Sequence, residues 1–382
     1  MIPYGRQHIT QQDIDAVTEV LQSDFLTQGP VVPAFEQRLC KLTGATYAVA
    51  ASNATSALHL ACLALEVGPG SRVWTSPISF VASANCALYC GAIIDFVDVE
   101  PDSGNMSVIA LEKKLQHAEE NNQLPQVLIP VHLAGQSCNM QYIYQLSVRY
   151  GFRIIEDASH AVGASYQNSA VGSCQYSDIT VFSFHPVKII TTAEGGMALT
   201  NQAVLAEKMQ LLRSHGITRA DELMTEPSHG SWYYQQLQLG FNYRMTELQA
   251  ALGLSQSERL SEIIKKRQLL VASYQQLLAG LPLELPSVPK DRICAFHLYI
   301  VRLADKTQRK AVFDKLRSAG IGVNVHYIPI HSQPYYQAQG FRWGTYPMAE
   351  QFYETIISLP LYPELTLEQQ SYIAEQLRLA LA

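Results

Sequence analysis

Lys188 stands in the segment Ser183-Phe184-His185-Pro186-Val187-Lys188-Ile189-Ile190-Thr191-Thr192, shortly after the apolar run Ile179-Thr180-Val181-Phe182. That run reads as a buried strand, so the amine falls just past a strand end. Val187 and Ile189 flank it and keep water away; desolvation disfavours the ammonium form and lowers the pKa toward a value at which the free amine attacks a carbonyl. A lysine of this kind forms Schiff bases and moves protons. An isolated lysine beside apolar residues would instead carry its ammonium out to solvent, so the neighbouring segments decide between the two readings.

Two of those segments carry matching chemistry. Phe152-Arg153-Ile154-Ile155-Glu156-Asp157 reads as a short buried strand that ends in acid, with Asp157 at its carboxyl edge, where open α/β sheets bind ligands. A carboxylate there can pair with a protonated pyridine nitrogen; Asp157 could equally cap a helix opened by Ala158-Ser159-His160-Ala161. Upstream, Tyr47-Ala48-Val49-Ala50-Ala51 reads as a strand leading through Ser52-Asn53-Ala54-Thr55-Ser56 into a helical pattern. Free backbone amides at such a helix start suit a phosphate, and the same small residues suit ordinary helix capping. Phosphate cradle, ring-nitrogen acid and Schiff-base amine, in that chain order, together describe a site for pyridoxal 5′-phosphate.

The ordered motifs Leu26-Thr27-Gln28-Gly29-Pro30, Ser52 to Leu58, Thr75-Ser76-Pro77-Ile78-Ser79-Phe80 to Asn85, Glu156 to Ala161, the Lys188 segment, Arg213-Ser214-His215-Gly216 and Gly240-Phe241-Asn242-Tyr243-Arg244 to Gly253 span nearly the whole chain. Through them the chain resembles the sugar aminotransferases of the DegT/DnrJ/StrS family, a branch of the fold-type I pyridoxal-phosphate enzymes. The resemblance implies an α/β fold with a mostly parallel sheet in a large domain, residues 1–255 with an N-terminal substrate-contacting segment, and a smaller α+β C-terminal domain, residues 256–382.

Carried onto this sequence, the family pattern makes Lys188 the Schiff-base lysine and proton shuttle and pairs Asp157 with the pyridine nitrogen. It gives the phosphate to the amides of Ala54 and Thr55, to the Ser183 hydroxyl, and to Asn242 reaching across from a neighbouring subunit, which implies a homodimer. Phe80 corresponds to the aromatic that stacks on the cofactor ring. His160 falls near the ring's phenolic oxygen, where many relatives carry Gln. The nucleotide sugar is expected against Tyr4, Asp24-Phe25-Leu26-Thr27 and Asn324-Val325-His326-Tyr327. A carboxylate at Asp24 would repel a diphosphate, so its backbone, or its carboxylate on a sugar hydroxyl, is expected to make that contact. Without the resemblance, Asn324 to Tyr327 would read as a strand with His326 on its exposed face.

Tyr166-Gln167-Asn168, Phe182-Ser183-Phe184-His185, Val325 to Ile330, and Phe352-Tyr353-Glu354 before Ser358-Leu359-Pro360 resemble, within the family, the branch that serves pseudaminic acid biosynthesis. This implies transfer of an amine from L-glutamate to a UDP-4-keto-6-deoxy-N-acetylhexosamine. Transamination of the 4-amino-4-deoxy-L-arabinose type, or a catalytically silent binding protein on the same fold, are the alternatives. A related scaffold with His in place of the lysine acts as a sugar dehydratase, and Lys188 argues against it.

At 382 residues the chain exceeds the roughly 250–300 at which one hydrophobic core stops growing, which favours two domains. Its 27 Lys and Arg against 33 Asp and Glu give a net charge of −6, and Lys265-Lys266-Arg267 is the longest basic run, so no nucleic acid partner is indicated. Seven scattered cysteines without a Cys-x-x-Cys pair read as reduced thiols in a cytoplasmic protein. His326 and His331 match no ligand spacing, and no metal is expected. Apolar strands alternate with helical patterns from Tyr47 to Thr200, one long helical stretch runs from Thr246 to about Leu278, and the proline-rich Gly280 to Pro289 opens the second domain. There His297 to Leu303 reads as a strand and Gln308 to Ala319 as a helix ended by Gly320. No membrane span is expected.

Overall fold

The structure, a computed structural model, describes all 382 residues. Seven strands form the central sheet: β1 (Tyr47–Ala51), β2 (Arg72–Thr75), β3 (Ile93–Phe96), β4 (Val127–Ile129), β5 (Arg153–Asp157), β6 (Ile179–Ser183) and β7 (Gly196–Thr200). Their order across the sheet is β1-β7-β6-β5-β4-β2-β3. Six strands run one way; β7, between β1 and β6, is antiparallel to both.

A sheet of this kind needs helices on both faces, and its strands therefore read as apolar runs rather than as alternation. Side-chain alternation divides each run between two cores. Val49, Ala51, Ile155, Val181 and Ala198 enter one cluster of 39 buried residues, while Ala48, Ala50, Phe182, Met197 and Leu199 enter a cluster of 24 on the opposite face.

A second, three-stranded antiparallel sheet contains β8 (Leu283–Glu284), β9 (Tyr299–Leu303) and β10 (Ile356–Leu359), with β9 in the middle. Tyr299, Val301 and Leu303 face a cluster of 20 buried residues shared with the helices Leu260–Leu277, Arg309–Ser318 and Leu367–Leu381, whereas Leu298 and Ile300 join the 39-residue core of the main sheet. The small sheet is thereby fixed to the large one through its own second face. The strand expected from His297 begins at Tyr299, and the expected helix spans Arg309–Ser318, with Gly320 beyond it at φ +77°. The stretch from Thr246 is two helices, Glu247–Glu258 and Leu260–Leu277, joined at Arg259. No helix is long and apolar enough to cross a membrane.

Buried carboxylates anchor the N-terminal helices. Asp13, fully buried, accepts hydrogen bonds from Ser255 Oγ (2.6 Å), Gln256 Nε2 (2.8 Å) and Arg259 Nη2 (2.6 Å). Burial pushes its pKa up, but those bonds and the Arg259 charge outweigh burial and leave it below the usual range. Glu247, also fully buried, accepts from the backbone N–H groups of Val31 (2.6 Å) and Val32 (3.2 Å), which open a helix with no side-chain cap of its own. Gly29 leaves room for this contact, since a Cβ there would stand 2.9 Å from Glu247 Oε2. Glu247→Ala strands those amides and should cost about 1–3 kcal/mol, read as a lower denaturant midpoint at unchanged slope. A wild-type midpoint would remove this role from Glu247.

Candidate active site

Three parallel strands and the one antiparallel strand bring their ends to the same edge. β1 leads into Ser52 to Thr55, β5 ends at Asp157, β6 ends at Ser183, and β7, reversed, starts there with Gly196. Ser183 and Gly196 are partners in the ladder between β6 and β7.

At the head of the helix Ala54–Ala64, Asn53 caps by accepting from the Ser56 N–H at 2.8 Å. That satisfies the third amide of the helix and leaves those of Ala54 and Thr55 without a partner in the chain. Both capping and a free amide pair, the two readings of this segment, are thus present at once. Gly196 packs directly beneath: a Cβ on it would lie 2.6 Å from both N and Cα of Ala54. The hydroxyl-bearing Ser183 is buried beside it.

Asp157 is buried at the end of β5, and the chain turns after it without entering a helix, so the capping alternative falls. Its Oδ2 accepts from Ser83 Oγ at 2.6 Å, and its Oδ1 from the Ser159 hydroxyl (2.6 Å) and N–H (3.1 Å). Three donors hold the carboxyl group in one orientation and still leave lone pairs for a further donor.

Lys188 lies in the loop from Phe184 to Gly195, which is closed by Phe184 N–H to Gly195 O (2.9 Å) and Thr192 N–H to Phe184 O (2.9 Å). The residue is half-buried between Val187 and fully packed Ile189. Burial lowers the amine's pKa to about 8, against a smaller opposing pull from Asp157. This is the desolvated lysine that the flanking residues predict.

Three imidazoles and a phenol surround this amine. His160 accepts at Nδ1 from the Ala134 N–H (3.3 Å), which leaves Nε2–H to donate to Tyr327 Oη at 3.1 Å. Burial, then the Lys188 charge, push His160 well below the usual histidine range. His297 lies against His160 with ring centres 4.4 Å apart and planes tilted by 44°, and its pKa is likewise pushed well below the usual histidine range, first by burial. His326 is lowered to about 4 by burial and by Lys188, and it bonds Ser358 Oγ through Nδ1 at 2.8 Å. Asn324 to Tyr327 is not a strand beyond a single bridge from Asn324 to Ser358, and His326 is buried rather than on an exposed face. Its partners, not periodicity, decide this: Tyr4 lies over it with rings 5.3 Å apart. Val325 is partly buried against the main core.

Phe80 is 60% exposed, its ring 6.4 Å from that of Tyr327. An exposed aromatic ring offers a face on which a planar ring could stack. The structure therefore brings together Ala54, Thr55, Asp157, Ser183 and Gly196 at one edge, and gathers Tyr4, Phe80, His160, His326 and Tyr327 in one chain of ring contacts, with the Lys188 charge felt at His160 and His326. Asp24, Phe25, Leu26 and Thr27 stay apart from them: all four are exposed, tied to the chain by Glu247 N–H to Leu26 O (3.0 Å) and a Thr27–Thr246 bridge. Asn242 is exposed too, with its neighbour Tyr243 accepting the Ser52 N–H at 2.8 Å. Ser83, Ser159 and His297 escaped the sequence reading. Ser83 lies inside the Thr75 to Asn85 motif, four residues after Ser79, whose hydroxyl it meets at 2.6 Å, and membership of that motif was the available signal.

An unpartnered amide pair over a glycine, an oriented carboxylate, a desolvated lysine amine and an open aromatic ring fit a phosphorylated pyridine aldehyde. Fold and site define a fold-type I pyridoxal-phosphate enzyme. Residues 7–378 match the model of the DegT/DnrJ/EryC1/StrS aminotransferase family, and the chain belongs to that family, whose members use pyridoxal 5′-phosphate. It is 36% identical over 99% of its length to the spore coat polysaccharide biosynthesis protein SpsC of Bacillus subtilis, covering 96% of that protein. It is equally 36% identical, with the same coverage of 99% and 96%, to the UDP-4-amino-4,6-dideoxy-N-acetyl-beta-L-altrosamine transaminase of Campylobacter jejuni. Among solved structures it is similar to Helicobacter pylori PseC, an aminotransferase involved in pseudoaminic acid biosynthesis, with a TM-score of 0.89, 33% identity, and coverage of 99% and 98%. The chain is a pyridoxal-phosphate-dependent sugar aminotransferase.

The lowered pKa carries a sign that can be checked. Only the neutral amine bonds an aldehyde, so the rate at which cofactor-free protein takes up pyridoxal phosphate, followed by absorbance, should climb with pH and reach half its maximum near about 8. A rate still rising steeply above pH 10 would mean an ordinary solvated lysine.

Proposed function

We propose that the enzyme transfers the amino group of L-glutamate to C4 of a UDP-linked 4-keto-6-deoxy-N-acetylhexosamine of L-arabino configuration, giving the L-altro 4-amino sugar of pseudaminic acid biosynthesis. The observation that carries the chemistry is the half-buried Lys188 amine, lowered to about 8 and set against the oriented carboxylate of Asp157. The relatives that act in this pathway, at 36% and 33% identity over almost the whole chain, support the substrate. Equal identity to SpsC keeps another nucleotide 4-keto sugar as the second reading.

Bound pyridoxal phosphate supplies a carbonyl that bonds amines and a ring that accepts the electron pair left when a C–H bond breaks. The chain supplies the rest. The Ala54 and Thr55 amides and the Ser183 hydroxyl donate to the phosphate, with the positive end of the helix dipole behind them. Asp157, fixed by Ser83 and Ser159, accepts from a ring N–H and keeps that nitrogen protonated. Phe80 covers one ring face. Lys188 takes the proton from the α-carbon of the amino donor in the first half-reaction and returns one to the sugar's C4 in the second, from one side only. His160, neutral with Nε2–H outward, can donate to a phenolic oxygen without adding positive charge beside Lys188.

The nucleotide sugar meets Tyr4, Asn324, His326 and Tyr327 from one chain. We assign Asp24 to Thr27 and Asn242 to contacts that form across a homodimer, because both are exposed here, and the apolar side chains of Phe25 within the first segment and of Leu239 three residues before Asn242 are left in water at 54% and 81% exposure. In this reading residues 1–255 carry the cofactor and 256–382 close over the sugar.

Lys188→Ala should bind the cofactor without a covalent bond and lose both half-reactions; turnover near the wild-type rate in a cofactor-loaded variant would sink the role of Lys188. Asp157→Asn should retain some cofactor and lose two or more orders of magnitude in rate. For the substrate, the absorbance of purified enzyme should shift on adding L-glutamate and return on adding the L-arabino keto sugar. If glutamate acts and this sugar does not, the substrate assignment is wrong while the aminotransferase chemistry stands.

A further inference from the structure

The helix Ala54–Ala64 opens with the amide pair given to the phosphate, and one turn further on it carries His59, a buried histidine that the transamination chemistry does not use. His59 meets the segment Gly240 to Tyr243. Its Nδ1 lies 3.2 Å from Tyr243 Oη, and its ring meets Phe241 edge-on at 4.9 Å and Tyr243 at 6.0 Å between centres. Phe241 and Tyr243 stack on each other at 4.8 Å with planes 15° apart. The Tyr243 carbonyl accepts from the N–H of Ser52, two residues before the helix begins, at 2.8 Å. Tyr243 is thus bonded at its hydroxyl to the helix and at its carbonyl to the chain that leads into it.

Asn242 lies between these two rings in the chain. Phe241 O accepts from the His215 N–H at 2.9 Å and the Tyr243 N–H donates to Arg213 O at 3.0 Å, which makes an antiparallel bridge between Asn242 and Ser214. Gly240 permits this close pairing, since a Cβ on it would stand 2.2 Å from Gly216 N. In a run extended this way alternate side chains leave on opposite sides, so two rings turned onto His59 send the Asn242 side chain outward. Asn242 is indeed exposed while Phe241 and Tyr243 are half-buried. Backbone pairing sets the register of the segment, and the contacts with His59 hold its inner face.

We propose that His59 is a positioning residue that acts in trans: through Tyr243 and Phe241 it steadies the segment from which Asn242 reaches the phosphate of the neighbouring subunit's cofactor. This role holds only if Asn242 crosses the homodimer interface, and so rests on that proposed assembly. One helix then serves two sites. Its first amides donate to the phosphate of their own subunit, and its next turn fixes the side chain delivered to the other. Loss of the His59–Tyr243 hydrogen bond should weaken pyridoxal phosphate binding roughly three- to tenfold, and in the neighbour's site rather than its own.

Hybrid dimers, purified through a different tag on each chain, separate the two sites. In every hybrid one chain carries Lys188→Ala, so borohydride can fix cofactor to a single Lys188. Peptide mapping by mass spectrometry at rising pyridoxal phosphate then reads the affinity of that site alone. In the first hybrid His59→Leu shares the chain with Lys188→Ala; the intact Lys188 site receives its Asn242 from the altered chain, and its affinity should fall by that factor relative to a hybrid carrying Lys188→Ala only. In the second, His59→Leu sits on the chain that keeps Lys188; that site receives Asn242 from a chain with His59 in place, and its affinity should match the same reference. Tyr243→Phe, which keeps the ring stack, should repeat both results. His59→Asn, whose amide places a polar atom where Nδ1 stands, should restore most of the loss. A loss confined to the second hybrid would mean that His59 acts on its own helix and would overturn the proposal, as would equal loss in both or no loss in either. Asn242→Ala in the same two hybrids tells the failures apart. If it weakens the first hybrid while His59→Leu does not, His59 lacks this role and the shared site stands; if it weakens neither or only the second, the shared site falls and the role of His59 with it.

Discussion

The contact between Gly196 and Ala54 sets the geometry on which the site depends. β7 enters the sheet against the direction of its neighbours, and its first residue lies under the amide end of the helix that follows β1. With no side chain at Gly196, the helix start descends to the level of the strand ends. The amides of Ala54 and Thr55 then share one edge with Ser183, which is the ladder partner of Gly196. A methyl group there would lie 2.6 Å from backbone atoms that have nowhere to retreat, since the helix behind them is buried from Ser56 to Cys62. The reversed strand and the glycine are therefore one device, and the shared edge of the Ala54 and Thr55 amides with Ser183 is its product.

Electrostatics at the same edge follow from burial more than from charge pairing. Lys188, His160, His297 and His326 are all lowered first by desolvation, and only the Asp157 carboxylate pulls Lys188 the other way. A cluster with three neutral imidazoles keeps one group at a working pKa instead of four competing cations. The Tyr327 hydroxyl is raised, again first by burial, so it stays a donor beside His160. Behind His297, the fully buried Arg267 donates to the backbone carbonyls of Phe296, His297 and Leu361 with no carboxylate partner, and burial lowers it to about 10. Its charge is spread over carbonyl dipoles, and the same bonds fasten the helix Leu260–Leu277 to the segment that leads into β9 and to Leu361 just past β10.

Much of this was legible in the sequence wherever a local pattern dictates local structure. The apolar runs of β1, β4, β5 and β6, the acid at the end of β5 and the Val187/Ile189 flanks of Lys188 each report their own environment. The breaks were less legible: the helix interruption at Arg259 has no proline or glycine to announce it, and the irregular path from Asn324 to Tyr327 is set by Ser358 and Tyr4, which are distant in the chain. The same holds for the supports of the site. Ser83 and Ser159 act by meeting Asp157, and Glu247 acts by capping a helix that begins 216 residues earlier. Tertiary contact creates these roles, and no window of sequence contains both partners.

The two faces of β9 show how the halves of the molecule communicate. Tyr299, Val301 and Leu303 bind the strand to its own helices, while Leu298 and Ile300 bind it to the core beneath the main sheet. β10 does the same at its shorter scale, with Ile356 in the large core and Ile357 in the small one. Ser358 on β10 holds His326 through its hydroxyl and Asn324 through the backbone. A shift of the small sheet against the large one would therefore move His326 and Tyr4 together relative to Lys188, because Tyr4 is tied to the same side by Leu361 N–H to Tyr4 O at 3.0 Å. Tyr4 and His326 thus travel as a unit, whereas Asp24 to Thr27 are fastened to Thr246 and Glu247. The position of Tyr4 and His326 relative to Lys188 is therefore set by the packing of Leu298, Ile300 and Ile356 between the two sheets as much as by the contacts those side chains make themselves.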